Sequence, residues 1–238
     1  MRLIDPTQLS QQWNKEVLPK LRRSNCLIRT GRFRGRTMQT TYTTTNNPGI
    51  SAAILSTNRR IHDEAVEVLY GSYTFDFSIH VEAITPFLAD LTNEARQCVQ
   101  RVGLVKRALP YDRDFDCEEW RTATSCIASS LPHLRHLDLG VVAGKPGQEG
   151  NLNGGWDDVE DWTRHDFETW TRRGWMGLEW VRDLAKIQAT EVSVRAVIEH
   201  CPQPKSEMMV FWVGISKSVV EGGFGEWIKE LIRIGDAV

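Results

Sequence analysis

Gly140-Val-Val-Ala-Gly144-Lys145 invites comparison with a phosphate-binding loop, because it follows a predicted strand. That chemistry needs four residues between the glycines, then Lys and Ser/Thr opening a helix, so that backbone N–H groups cradle the anion. Here three residues intervene and Pro146 follows the lysine, which argues against phosphate. Glu221-Gly222-Gly223-Phe224-Gly225 is also glycine-rich, but it lacks dinucleotide spacing after a strand and reads as the entry to a last helix. His133 and His136 lie three apart; in an extended segment they point to opposite faces, and no Cys or carboxylate cluster joins them at ligand spacing. His200-Cys201 has no legible third group to orient a nucleophile. Asp112, Asp114, Asp116 and Glu118 alternate like calcium ligands, yet the central glycine and closing glutamate are missing, so an acidic solvated loop is expected. These patterns assign no catalytic residue, no cofactor and no metal. The chain is expected to be non-enzymatic, with a small-molecule enzyme of unrecognised site as the alternative.

Recognition chemistry has better candidates. Trp156, Trp162, Trp170, Trp175 and Trp180 fall in one short stretch, interleaved with carboxylates and with Arg164, Arg172 and Arg173. Tryptophan and arginine are favoured at binding hot spots. Trp156, Trp162, Trp170, Arg172 and Arg173 are therefore candidate contacts for another protein, against the competing reading that the indoles anchor helices to a core. A basic run, Arg22, Arg23, Arg29, Arg32, Arg34 and Arg36, could grip nucleic acid, but a net charge of -2 argues against it. Arginines on edge strands also discourage aggregation, a sufficient alternative.

Several elements must position these residues. Leu9, Trp13, Val17 and Leu21 recur at four-residue steps and predict a helix over residues 7 to 23. Residues 26 to 45 favour short strands with turns at Gly31 and Gly35. After Asn46-Asn47-Pro48-Gly49, an apolar helical face is predicted through Ile50, Ala53, Ile54, Thr57, Ile61, Ala65, Val68 and Leu69, with Arg59, Arg60, Asp63, Glu64 and Glu67 mostly opposite. Gly71 is expected to close that helix. Tyr73, Phe75 and Phe77 alternate with polar residues and predict a half-buried strand, with Ser78 capping a helix over 81 to 91. Met208 to Ile215 reads as a last strand and residues 224 to 234 as a last helix.

A coarser repeat runs through the second part. Val99-x-x-Val102-x-Leu104 matches Leu134-x-x-Leu137-x-Leu139, with a weaker copy at Ala189-x-x-Val192-x-Val194. This is leucine-rich-repeat spacing, in which apolar positions face a shared core and intervening ones face outward along an exposed sheet. His136 and Asp138, or Ser193 and Arg195, would be outward. Helices are expected before the second and third strands, over 118 to 130 and 176 to 187. Residues 143 to 155 read as a Gly/Asn/Pro-rich loop.

The stretch AILSTNRRIHDEAVEVLYGSYTFDFS, residues 53 to 78, resembles a recurrent signature of fungal F-box-like proteins, including those with a two-EXR domain. Asn58, Arg59, Ile61, Glu64, Ala65, Val68, Leu69 and Tyr70 match its helix, and Thr74, Phe75 and Phe77 its strand. The likeness covers residues 50 to 105. Residues 1 to 25 contain no F-box-like string; Leu18-Pro19-Lys20 lacks the following Glu-x-Arg. The resemblance implies a protein-interaction adaptor related to substrate receptors of ubiquitin ligases, without a recognisable F-box.

With 41% apolar and 25% charged residues, the chain has the composition of a globular protein. No run reaches the roughly 18–20 apolar residues of a membrane span, and the first twenty residues carry no secretory pattern. Five scattered cysteines indicate neither a disulfide framework nor a zinc ribbon. An intracellular protein, cytoplasmic or nuclear, is expected. The expected fold is α+β, with irregular leucine-rich-repeat-like helix–strand units packed on an N-terminal helical and short-strand segment. It should form a single domain over 1–238, with a soft division into 1–92 and 93–238.

Overall fold

A computed structural model describes residues 2–4, 26–33, 36–43, 54, 57–107, 114–147, 156, 159, 161–174 and 178–234; before residue 54 it describes the backbone alone. Nothing is described of the helix expected over 7 to 23, of Trp175, or of most of the loop expected over 143 to 155.

The fold mixes helices with a five-stranded sheet ordered β1-β4-β5-β6-β7. The short β1 (Arg2–Ile4) runs antiparallel to β4 (Thr74–Asp76). From β4 onward β5 (Arg101–Lys106), β6 (His136–Pro146) and β7 (Glu191–Cys201) are all parallel. The β4–β5 pairing crosses the division expected at 92–93. A separate hairpin joins β2 (Cys26–Phe33) and β3 (Arg36–Thr43), and Gly31 lies within a strand, opposite Met38, rather than in a turn.

The three apolar repeats form β5, β6 and β7, and they align. Val102 pairs with Leu137 and Leu137 with Val192; Leu104 pairs with Leu139 and Leu139 with Val194. Phe75 of β4 heads the first row. One sheet face is thus a continuous apolar surface, and the opposite face carries Asp76, Gly103, Asp138 and Ser193 in one row. The units are irregular in length and form no leucine-rich-repeat solenoid.

Helices connect these strands. α1 (Arg59–Ser72) starts at Asn58, whose side chain accepts from the Ile61 N–H at 3.0 Å. It runs one residue past Gly71, which is therefore interior and not the terminator. Of its expected apolar face Val68 is 61% exposed, and Val66 is the buried position. A single turn, Val81–Ala83, precedes α2 (Ile84–Asp90), and α3 (Asn93–Cys98) follows. Ser78 does not cap α2: it sits in a turn at φ 51, its N–H donating to Asp76 Oδ1 at 2.7 Å. α4 (Asp114–Ser130) includes part of the expected acidic loop, placing Asp116 and Glu118 on a helix. α5 (Arg164–Arg172) and the short α6 (Glu179–Leu184) precede β7.

Two expectations fail for physical reasons. β4 is buried on both faces, with Phe75 at 2% and Asp76 at 6% exposure: the Tyr70 and Phe87 rings cover Phe75, and Asp76 is turned in to accept from the Ser78 N–H. Residues 208 to 215, expected as a strand, lie inside α7 (Glu207–Glu221), and α8 (Gly223–Ile234) completes the described fold. The apolar run is continuous because the helix is buried nearly all round, so periodicity cannot separate helix from strand there. The decisive local signals are Ser206, whose hydroxyl accepts from the Met209 N–H, and Gly222 in the left-handed conformation at the end.

α7 completes the sheet where a strand is missing. β5 pairs with β6 only as far as Lys106 opposite Val141, and β6 continues five residues to Pro146. On that unpaired side the Gly144 N–H donates to Ser216 Oγ at 2.8 Å, and the Gly144 carbonyl accepts from Trp156 Nε1 at 3.0 Å. A Cβ at 144 would overlap the Trp212 ring, so only glycine admits the helix this close. Gly214 likewise faces the Trp162 ring, where a Cβ would approach to 2.7 Å. The segment compared with a phosphate loop is thus β-strand. Around α7, Trp162, Phe167, Trp170, Phe211, Phe224 and Trp227 form a connected aromatic core.

Gly144→Ala should lower unfolding free energy by ~3 kcal/mol in urea denaturation, because the buried Trp212 ring would have to move to admit the new methyl. Glu119 of α4 is half-buried beside Glu82, Asp116 and Glu118, and burial first, then those charges, pushes its carboxyl up to about 7. A raised carboxyl binds its proton more tightly when folded, so its stabilising protonation is lost as pH rises from the unfolded value near 4.5 to about 7. Glu119→Gln should match the wild type in stability at pH 4 and exceed it at pH 8 by on the order of 1 kcal/mol after solvent screening.

Candidate functional site

The parallel strands all begin at one edge of the sheet, and there the chain opens a groove of about 1010 Å³. α1 supplies Arg59, His62, Asp63, Val66 and Glu67; the α3 region supplies Thr92, Glu94, Gln97 and Cys98. The residues just before the strands close it: Gln100 before β5, Pro132 to Arg135 before β6, and Thr190 before β7. These approaches are tied together by backbone. The Gln100 carbonyl accepts from the Arg135 and His136 N–H groups, both at 2.9 Å, and the Arg135 carbonyl accepts from the Glu191 N–H at 2.7 Å.

The lining carries both charge signs. Arg59 and Arg135 stand with Asp63, Glu67 and Glu94, and His62 and His133 add two imidazoles. The Glu94 carboxyl is held below its ordinary range by its own backbone N–H and by the Thr92 side chain. The Cys98 thiol is pushed up by burial and by Glu67.

One residue further along, the polar sheet face begins. Arg101, His136 and Glu191 form its first row, and Asp76, Gly103, Asp138 and Ser193 its second. His136 Nδ1 lies 2.9 Å from Glu191 Oε2. That geometry would raise the imidazole, but burial and Arg101 act oppositely and prevail, since Glu191 is largely in water. Near pH 7 the imidazole is therefore uncharged, and the contact is a hydrogen bond rather than an ion pair. Arg195 Nε donates to Asp138 Oδ2 at 3.3 Å across two half-buried side chains. Burial drives the Asp138 carboxyl up, Arg195 partly offsets this, and Asp76 adds to the rise.

His136 and Asp138 thus lie on the face of β6 opposite the apolar rows, two residues apart, but half-buried rather than on an exposed sheet. The tryptophans belong to another part of the fold. Trp156 is half-buried against the end of β6; Trp162 and Trp170 are half-buried with ring centroids 4.0 Å apart; Trp180 is buried and its carbonyl accepts from Trp120 Nε1 at 3.0 Å. Their indoles pack against the core. Arg172 and Arg173 are at the end of α5, where Arg173 is exposed and Arg172 lies 3.7 Å from Glu168. The groove residues of α1 are legible as Arg59, Asp63 and Glu67 at four-residue steps, a charged stripe easily taken for a solvated face. His133, Arg135 and Thr190 carry no pattern of their own; the sheet register brings them there.

Among the described residues no group of His, Cys, Asp and Glu is arranged to hold a metal ion, and no helix is long and apolar enough to cross a membrane. Among the described residues, Cys98, Cys117, Cys126 and Cys201 are in no disulfide. Comparison with protein families, with curated proteins and with solved structures gives no match.

Replacing Arg195 with Gln should move the Asp138 carboxyl further up, because the stabilising cation beside it is removed. Carboxyl carbon-13 titration of both chains reads this directly; an unchanged or lowered Asp138 midpoint would contradict the pairing.

Proposed function

We propose that this chain is a non-enzymatic protein-interaction adaptor that takes a polar segment of a partner protein into the groove at the strand origins. The observation that carries this reading is the groove's lining, in which arginine, histidine and carboxylate side chains from three separate elements face one open trough. Its volume is at the upper end of small-molecule sites, roughly 300–1,000 Å³. A mixed-charge trough of this size disfavours an apolar ligand, whose binding would strip water from charges without replacing it. A peptide carrying both signs meets each wall with its complement, which gives orientation and selectivity.

Two further features support the reading. The groove's longest wall, α1, is the helix whose residues Asn58 to Tyr70 resemble the F-box-like and two-EXR signature, and that resemblance implies an adaptor of the substrate-receptor kind. The β5, β6 and β7 units keep apolar positions on one face and present His136, Asp138 and Arg195 on the other, the arrangement expected of irregular leucine-rich-repeat-like units. On this reading His136 and Asp138 extend the docking surface beyond the groove. Arg172 and Arg173 offer charge at a second contact, and Trp156, Trp162 and Trp170 support that contact from beneath.

The test is affinity capture with the full chain and with a Glu67→Lys, Arg135→Glu double variant, both checked for equal thermal unfolding. The wild type should retain a stoichiometric protein from native lysate and the variant at least tenfold less. Equal retention by the two chains, or no stoichiometric protein on the wild type, would overturn the proposal.

A further inference from the structure

We propose that two copies of this chain join edge to edge through β7, making one continuous sheet across a two-fold axis at Val197. This is independent of the groove and its partner. β7 closes the sheet on one side, with an uninterrupted ladder to β6 over 11 residues and no bulge. The opposite edge is the three-residue β1. A long, regular edge strand is a template for pairing, and edges not meant to pair are shortened, bulged or broken by proline. β7 shows none of these before Pro202, and the charges that could also guard it, Arg195 and Glu199, are of opposite sign.

The ladder fixes which backbone groups face outward. The Glu191 N–H donates to Arg135 and the Cys201 carbonyl accepts from Gly147, so odd-numbered residues bond inward to β6. Val192, Val194, Ala196, Ile198 and His200 therefore turn their N–H and C=O groups outward. Among the described residues no backbone hydrogen bond reaches that side. α8 covers the start of the strand, where Gly225 packs on Val194, but Ile198 is 52% exposed.

The sequence of β7 complements itself in one antiparallel register. With Val197 opposite its own copy, Arg195 stands opposite Glu199 twice, and Ala196 opposite Ile198 twice. Arg195, Val197 and Glu199 share one sheet face; Ala196 and Ile198 share the other. The outward-bonding residues Ala196 and Ile198 form the hydrogen-bonded pairs. Val197 and the charged pairs fall at the close positions, where Cα atoms are roughly 4.5 Å apart and side-chain contact is strongest. Shifting the centre to Arg195 would set two guanidinium groups against each other. The contact is isologous, so it closes at two copies and does not propagate.

Sedimentation equilibrium of the full chain should give a dimer. Glu199→Arg, which sets a second guanidinium against Arg195 of the other copy, should raise the dimer dissociation constant at least tenfold. Ile198→Pro, which removes an outward N–H without touching the β6 ladder, should do the same. Mixing the Glu199→Arg chain with an Arg195→Glu chain should restore a heterodimer, because both pairs are then complementary. Arg195→Glu also removes the partner of Asp138, so Ile198→Pro provides the second route to a monomer if that chain does not fold. A wild-type monomer at about 100 μM, or a dimer that both Glu199→Arg and Ile198→Pro leave intact, would overturn the proposal.

Discussion

Register across the parallel strands is the constraint on which the remaining architecture depends. Phe75, Val102, Leu137 and Val192 lie side by side, and Leu104, Leu139 and Val194 make the next row. A slip of one residue in any pair would carry a whole row of aliphatic side chains to the other face. Because the strands align, the residues just before them also align. Gln100, Arg135 and Thr190 come together at one edge for that reason, although ~35 and ~55 positions separate them along the chain. The groove is a by-product of correct registration and needs no local motif of its own.

A second constraint is space. The sheet has a strand-sized vacancy beside the end of β6, and α7 fills it with a serine hydroxyl and close helix–strand contact at Gly144. That approach requires the Trp212 ring to lie where a Cβ would be. On the other side of the helix, Gly214 admits the Trp162 ring in the same way. Two glycines therefore decide how the aromatic core is assembled. The tryptophan-rich segment, conspicuous in the sequence as a recognition surface, contributes much of its indole area to that core, leaving the arginines of α5 as its more accessible part.

The elements legible in the sequence share a feature: their pattern has a single periodic explanation. The three V/L-x-x-V/L-x-V/L runs predict β5, β6 and β7 and the sheet face that His136 and Asp138 share, though not how far that face is covered. The last helix is equally readable from its stripe of Phe224, Trp227, Ile228 and Ile232. Legibility fails where burial removes the periodic contrast. α7 is apolar on nearly every side and so looks like a strand, and β4 loses its alternation because both faces are covered. Gly71 fails for a different reason. Its own conformation is ordinary, and Tyr73 in extended geometry ends the helix instead. The groove is legible only by halves, since a charged helix stripe has the same sequence pattern whether it faces bulk water or a trough.

The Asp138–Arg195 pair explains how such a register is held on its polar side. Desolvating a carboxylate is costly; burial pushes the Asp138 carboxyl up, and Arg195 offsets this only in part. The pair is thus a weak source of stability. Its geometry is specific, however. Asp138 pairs directly with Ser193, while Arg195 sits opposite Gly140, whose missing side chain leaves room for the guanidinium 3.3 Å from where a Cβ would be. The arginine reaches diagonally to its carboxylate only in this alignment. A one-residue slip of β7 would turn Arg195 into the apolar face among Leu139 and Val141, with its charge unpaired, at a cost of several kcal/mol. Hydrophobic rows on one face favour the correct register, and on the other a half-buried charge penalises the incorrect ones. Each face excludes what the other alone would tolerate.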